Sequence, residues 1–443
     1  MAKKFSPVIQ SAMDHYLQLA ESLNQACDNP KVVALRQQAR QRFMEMGFPT
    51  RRHEDWGYTN LIGFMQTHFK LEGSSQVKMA DIARFLPSYP ATRIVMLDGW
   101  FSEELSDDLS VLPKGTSLES TSDLLAVDEY VDSLLEQQGN ITLEPFAVLN
   151  TSLLNDGFNL QVSKNIALET PIFVLHVQTQ AQHASNLRNR IVVGECAEVT
   201  VVQSFVSLCT SEAEFSSFTN VVTEIEVAKH ANVKQIIMQK QSNQSFYFHN
   251  QFINQAEQSV FNTFYTGIGS VTARHQNYVE MSGDHIETSQ NSACYATDDQ
   301  TVDSRTYSGH NKLYGVSKQL HKYVLDGKAT GVFNGMIKVA RGAQKTDGQM
   351  DNKNLLLSKT AKMDCKPQLE IYADDVKCSH GSATGQIAAD QLFYLQARGI
   401  KKAEALRMIT EAFLLEPVET INHPEIRSWV SGVLSSKLTQ SNG

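Results

Sequence analysis

Residues Gly309–Gly381 read GHNKLYGVSKQLHKYVLDGKATGVFNGMIKVARGAQKTDGQMDNKNLLLSKTAKMDCKPQLEIYADDVKCSHG. The end of this stretch, Lys366–Gly381, reads as a strand that closes on a cysteine and a histidine two positions apart. Side chains alternate faces along a strand, so Val376, Cys378 and His380 are expected to point the same way. The surrounding chain has the same texture. From about Ala147 to Gly385, short alternating segments recur, including Val199–Phe205, Val221–Val227, Val233–Gln239 and Val332–Val339, with almost no helical periodicity. Asn-Gly and Asp-Gly hairpin turns are few across this region. Many short strands without hairpin turns fit a parallel coil in which each rung stacks on the last. No strict repeat is visible, so periodicity alone leaves a sandwich and a β-helix equally open.

A thiol and an imidazole on one strand face can bind soft or borderline metals, or hold iron and sulfur. Two ligands do not close a four-coordinate site, and a buried cysteine beside a hydrogen-bonded histidine is common in cores. The six cysteines are Cys27, Cys196, Cys209, Cys294, Cys365 and Cys378, and none forms a CxxC pair. A self-sufficient cluster site is therefore not expected, and all but Cys378 read as core packing or inert thiols. His310 and His321 have no evident ligand partner in sequence. Asn250, Asn254 and Asn262 read as structural ladders. Asp374 and Asp375 are adjacent, so on a strand they face opposite sides and cannot form a paired-carboxylate site. A P-loop, a nucleophile elbow and an HExxH helix are all missing, and Gly267-Ile268-Gly269 lacks the third glycine of a dinucleotide fingerprint.

At 443 residues the chain can hold two or three domains, with 42% hydrophobic and 20% charged residues as in soluble globular proteins. A net charge of −9 argues against nucleic-acid binding, which draws its affinity from basic residues. No apolar run approaches the roughly 20 residues needed to cross a bilayer. Phe5–Leu23, after the opening MAKK, carries Asp14, His15 and Glu21 and does not read as a signal peptide, so a cytoplasmic location is expected.

Helical spacing predicts helices at Pro7–Asn24 and Lys31–Met46, the second stopped by Gly47. The segment FPTRRHEDWGYTNL follows as an ordered loop, then a strand at Arg93–Leu97 turning at Asp98-Gly99, and a helix around Leu124–Gln138. Past Gly385 the helical pattern returns. One helix is capped by Asp390 and stopped by Gly399. A second carries Ala405, Leu406, Ile409, Ala412 and Phe413, and a third follows Pro424 with Ile426, Val430 and Val433. Such a region is expected to cap the open end of a solenoid, with its outer face free for a partner.

Phe333-Asn334-Gly335, Thr346-Asp347-Gly348-Gln349, Asn354-Leu355-Leu356, Lys366-Pro367-Gln368-Leu369-Glu370-Ile371 and Asp375-Val376-Lys377-Cys378-Ser379-His380-Gly381 together strongly resemble the core of the SufB/SufD family of iron–sulfur cluster assembly proteins. Phe48-Pro49-Thr50-Arg51-Arg52, Glu54-Asp55-Trp56 and Tyr58-Thr59 resemble its N-terminal signature. Length, the FPTRR segment and CSHG favour the SufD branch. The resemblance implies a mainly β fold, with a right-handed parallel β-helix core at 147–385, a mostly helical N-terminal domain at 1–146 and a helical C-terminal domain at 386–443. It implies a non-catalytic scaffold that pairs with SufB, β-helix to β-helix, and binds the SufC ABC-type ATPase through its C-terminal helices. His380 would then serve as an iron ligand, with Cys378 beside it, for a transient iron–sulfur cluster shared with SufB; no cofactor would be stably bound by the chain alone. A homodimer could use the same strand edge. The alternatives are a purely structural adaptor and, more remotely, an independent β-helix carbohydrate-active enzyme.

Overall fold

The computed structural model describes residues 5–71, 76–136, 140–209 and 215–441. Successive strands alternate between two sheets, one of ten strands and one of nine, and each strand from Phe158–Val162 to Asp347–Leu356 pairs in parallel with the strand one full coil later. Thus Phe246–Gln255 lies between Phe218–Val227 and Thr272–Met281, while Val260–Gly267 lies in the other sheet between Asn232–Lys240 and Glu287–Ala296. This is a parallel β-solenoid of about eight turns, so the ambiguity left by periodicity resolves to the coil. Coil length drifts: Phe246 pairs with Thr272 but Thr330 pairs with Lys362, which hides the repeat from a reading of spacing.

One corner of each coil places a non-glycine residue in the left-handed region. These are Asn165, Cys196, His230, Gln258, His285, Tyr314 and Lys345, with φ between 55° and 63°. Each conformation costs about 1–2 kcal/mol. Each of these residues also donates its N–H to a carbonyl of the next coil, at 2.7 Å for Lys345 to Asp375 and 3.1 Å for Cys196 to Lys229. The turn is therefore held by stacking rather than by residue type.

Both sheets bury both faces over much of their length. Ile172, Val174, Val201 and Val233 point into the coil, whereas Phe173, Leu175, Val202 and Ile236 point outward beneath the C-terminal helices. This explains continuous apolar runs such as Ile172–Gln178. The interior also carries a polar lane: Gln235 bonds Gln251 at 2.6 Å, Gln251 bonds Asn277 at 2.8 Å, and His249 meets Thr223 at 2.8 Å and Tyr247 at 2.9 Å. His310 meets Ser317 at 2.8 Å and His321 meets Ser292 at 2.8 Å, so both sit within this hydrogen-bonded interior. Burial holds His176, His275 and His321 down at about 3, and His249 well below its usual range. With folded values below the unfolded 6.5, the unfolded chain binds more protons between the two. Their stabilisation is complete above about pH 6.5 and is lost as pH falls toward 3, at up to about 1.4 kcal/mol per pH unit for each histidine. Urea titrations at pH 7.5 and 5.5 should show this loss. His176→Phe, which keeps the stack on Phe205 at 4.2 Å, should flatten the pH slope by about one histidine's share; an unchanged slope would place the acid sensitivity elsewhere.

At the N-terminal side, helices Pro7–Gln25 and Pro30–Met46 join Phe64, Phe69 and Phe146 to bury an aromatic cluster against Phe218, Phe246 and Phe248 of the nine-stranded sheet. The helix expected around Leu124–Gln138 is two helices, Thr121–Leu124 and Asp128–Glu136, and Gln138 lies outside the described residues. Strand Thr92–Leu97 already belongs to the ten-stranded sheet, and helix Pro145–Ser152 spans the junction expected at 146.

The C-terminal helices Ala389–Ala397, Lys402–Val418 and Pro424–Ser441 do not cap the open end, contrary to the sequence expectation. Leu414, Val418, Ile426, Val430 and Leu434 instead pack along the flank of the ten-stranded sheet, against Phe173, Val202, Phe264 and Val324. The reason is the apolar outer face of that sheet, which these helices cover. No helix among the described residues is long and apolar enough to cross a membrane.

Candidate functional site

The last coil is formed by Asp347–Leu356, Lys362–Ile371 and Lys377–Gly385. Lys362–Ile371 pairs only with Thr330–Val339, and Lys377–Gly385 only with Asp347–Leu356, so among the described residues both sheets end in an unpaired edge at the same end of the solenoid. Pro367 sits mid-strand, as is tolerated only where no ladder hydrogen bond is required of its nitrogen. Open edges with unused N–H and C=O groups are templates for pairing with another chain.

Register decides which side chains enter the mouth. Gly348, Met350, Asn352 and Asn354 are buried in the coil, and they pair with Cys378, His380, Ser382 and Thr384. Those four therefore face inward on the final rung, where nothing stacks beyond them. His380 is exposed above buried Met350. Cys378 is half-buried, and with Val376 it packs against the interior cluster. Burial pushes the Cys378 thiol up, Asp347 adds to the effect, and the Gly348 backbone pulls it back. The imidazole is thus presented to solvent, while the neighbouring thiol is held as a packed, protonated group.

From the other sheet, Phe333, Gly335 and Ile337 point inward and pair with Cys365, Pro367 and Leu369. Cys365, read from sequence as an inert core thiol, lies half-buried in this mouth. Its sulfur donates to Asn352 Oδ1 at 3.0 Å, and Asn354 Nδ2 donates to the sulfur at 3.4 Å. The signal available was Pro367 two residues on, which marks an edge strand and hence an accessible position. Among the described residues, no three of His, Cys, Asp and Glu gather closely enough to hold a metal ion.

The FPTRRHEDW segment is a clamp beside this mouth. Trp56 is buried against Phe146, with ring centroids 5.3 Å apart, and the Arg274 guanidinium lies 3.7 Å from its ring. Arg274 pairs with Asp303 and donates to the Asp55 carbonyl at 2.9 Å; Arg305 reaches the Asp55 carboxylate at 2.6 Å. Buried Glu144 is pushed up by desolvation and pulled back by Arg274 and Arg305. Glu54 reaches Lys366 on the terminal strand, so the loop is tied to the rim of the open end.

A second exposed feature is helix Ala389–Ala397, which has no buried residue. Phe393 is 72% exposed and Tyr394 57%, with Arg398 stacked 3.8 Å from the Tyr394 ring. The next helix, Lys402–Val418, is anchored to the sheet by the pair between buried Lys322 and Glu416, and Phe413 lies 4.1 Å from the Lys322 ammonium.

Comparison with known proteins matches residues 176–413 to the SufBD core domain of the SUF system for FeS cluster assembly, and residues 8–174 to the SufBD protein N-terminal region. The chain is 32% identical to the iron–sulfur cluster assembly protein SufD of Escherichia coli, over 91% of this chain and 92% of that protein. It is 30% identical to an iron–sulfur cluster assembly SufBD family protein of Synechocystis, over 94% and 93% of the two chains. It is also 30% identical to the chloroplastic protein ABCI7 of Arabidopsis thaliana, over 93% and 88%.

Proposed function

This chain belongs to the SufBD family of iron–sulfur cluster assembly proteins, and is SufD-like within it, and on that premise we propose that it acts as a scaffold subunit with no chemistry of its own. It pairs with SufB through the open end of the solenoid and binds the SufC ATPase through its C-terminal helices. His380 contributes a ligand to a cluster assembled transiently at the SufB interface, and Cys378 is its packed neighbour. The observation that carries this reading is the mouth itself, where two unpaired strand edges surround an exposed, inward-facing imidazole.

The chemistry suits a scaffold. Neutral imidazole binds iron but is a weaker donor than thiolate, so a mixed site can hold a cluster and still release it. The donors among the described residues do not complete a site, which fits ligands shared with a partner. It also favours a second reading, a structural adaptor for which SufB supplies every ligand. ATP turnover belongs to SufC on either reading, because this chain has no phosphate-cradling loop. Movement of SufC would reach the mouth through the helices packed on the ten-stranded sheet, provided its two nucleotide states contact them differently.

Helix Ala389–Ala397 is the proposed ATPase docking element, since its aromatic side chains have no partner within the chain's core. Point changes are the usable probe, because deleting the C-terminal helices would uncover Phe173, Val202 and Phe264. Phe393→Ala with Tyr394→Ala should leave the fold intact and weaken SufC capture by about 2 kcal/mol or more, as for an aromatic hot spot. Calorimetry with purified SufC checks this; undiminished affinity would move the docking site elsewhere.

A further inference from the structure

The mouth is lined from both sheets, and the contribution of the nine-stranded sheet is a thiol. Cys365 donates to Asn352 Oδ1 at 3.0 Å, and Ser382 donates to that same oxygen at 3.3 Å. Cys365 therefore meets the opposite strand at Ser382, one inward position beyond His380, while Cys378 lies one inward position before it. The thiol is half-buried and opens onto the unstacked end of the lumen.

A second feature points to an occupant. Asn354 is 4% exposed, and its Nδ2 is shared among Asn352 Oδ1 at 2.7 Å, Thr384 Oγ1 at 3.1 Å, the Ala383 carbonyl at 3.3 Å and the Cys365 sulfur at 3.4 Å. Its Oδ1 accepts no hydrogen bond from any described residue. A buried amide whose oxygen lacks a donor, on a side chain that touches a thiol through its nitrogen, is suited to a cation or to water carried by one.

We propose that Cys365 is a further ligand of the nascent iron site, presented across the mouth from the sheet opposite His380. This rests on the reading of His380 as a ligand and adds a thiolate to it from the same chain. On binding ferrous iron, the Sγ–H proton leaves to solvent and an Sγ–Fe bond forms, with no change of oxidation state. The contacts of its sulfur with Asn352 and Asn354 hold the thiol at this position on the rim of the mouth.

The test uses the complex of this chain with SufB and SufC, purified anaerobically and stripped of iron. Iodoacetamide labelling of Cys365, read by peptide mass spectrometry, is followed with and without added ferrous ammonium sulfate. Iron should slow labelling of Cys365 about tenfold or more, as expected when a thiol is held as a metal-bound thiolate. Cys365→Ser, which keeps a hydroxyl for Asn352, should lower bound iron while the complex elutes unchanged. Equal labelling rates with and without iron would overturn the proposal, even if the variant failed to fold. If His380→Ala loses iron while Cys365 labels equally, only this inference fails. If neither variant loses iron, the assembly-site reading fails with it.

Discussion

Replacing His380 with alanine should leave the complex with SufB and SufC assembled, yet strip it of most of its iron and acid-labile sulfide. The first half follows from exposure. His380 stands exposed above Met350 on a terminal rung, and surface substitutions of that kind usually shift stability by no more than about 0.5 kcal/mol. Alanine also keeps the backbone pairing of Lys377–Gly385 with Asp347–Leu356. The second half follows from ligand count. Among the described residues no three metal donors gather at one point, so losing the exposed imidazole removes much of what this chain brings to a cluster. Iron and sulfide analysis beside size-exclusion chromatography separates the outcomes. Unchanged cluster content in an intact complex would make the subunit an adaptor. Dissociation would make His380 an interface contact instead.

Asp303→Ala should be strongly damaging to stability, at about 3–5 kcal/mol. Arg274 and Asp303 are each 1% exposed at the side chain, and Asp303 also accepts from Thr59 at 2.5 Å. Removing the carboxylate leaves a guanidinium buried against Trp56 without its directly paired counter-charge. Against a typical total of about 5–15 kcal/mol, that loss is a large fraction. The pair need not be strongly stabilising for this to hold, because the cost lies in orphaning one partner. The double variant Arg274→Met with Asp303→Ala should therefore be less destabilised than Asp303→Ala alone. Denaturant titration gives both values. A loss below about 1 kcal/mol for the single variant would mean that water reaches Arg274 once the clamp loosens.

The clamp shows what a linear reading can and cannot see. Charges around Trp56 suggest an ordered loop, but their partners Arg274, Asp303, Arg305 and Lys366 lie more than two hundred residues away. The terminal helices were legible because each one's periodicity is local: Pro7–Gln25 and Pro30–Met46 differ from expectation by a residue at an end. Their destination was not. The C-terminal helices lie on a flank because Phe173, Val202 and Phe264 converge there from separate coils.

Strand alternation and the long motifs around Cys378 and His380 determined the composition of the fold, its family and the shared face of Val376, Cys378 and His380, since those are properties of neighbours in sequence. The tertiary structure decided which side chains share a rung. Coil length drifts from turn to turn, so stacking partners cannot be counted off along the chain, and seven residues of six types occupy one left-handed corner. Cys365 acquired its place beside Ser382 and Asn354 in the same way: strand pairing across coils, with hydrogen bonds on every rung, sets the register that brings the two sheets together at the mouth.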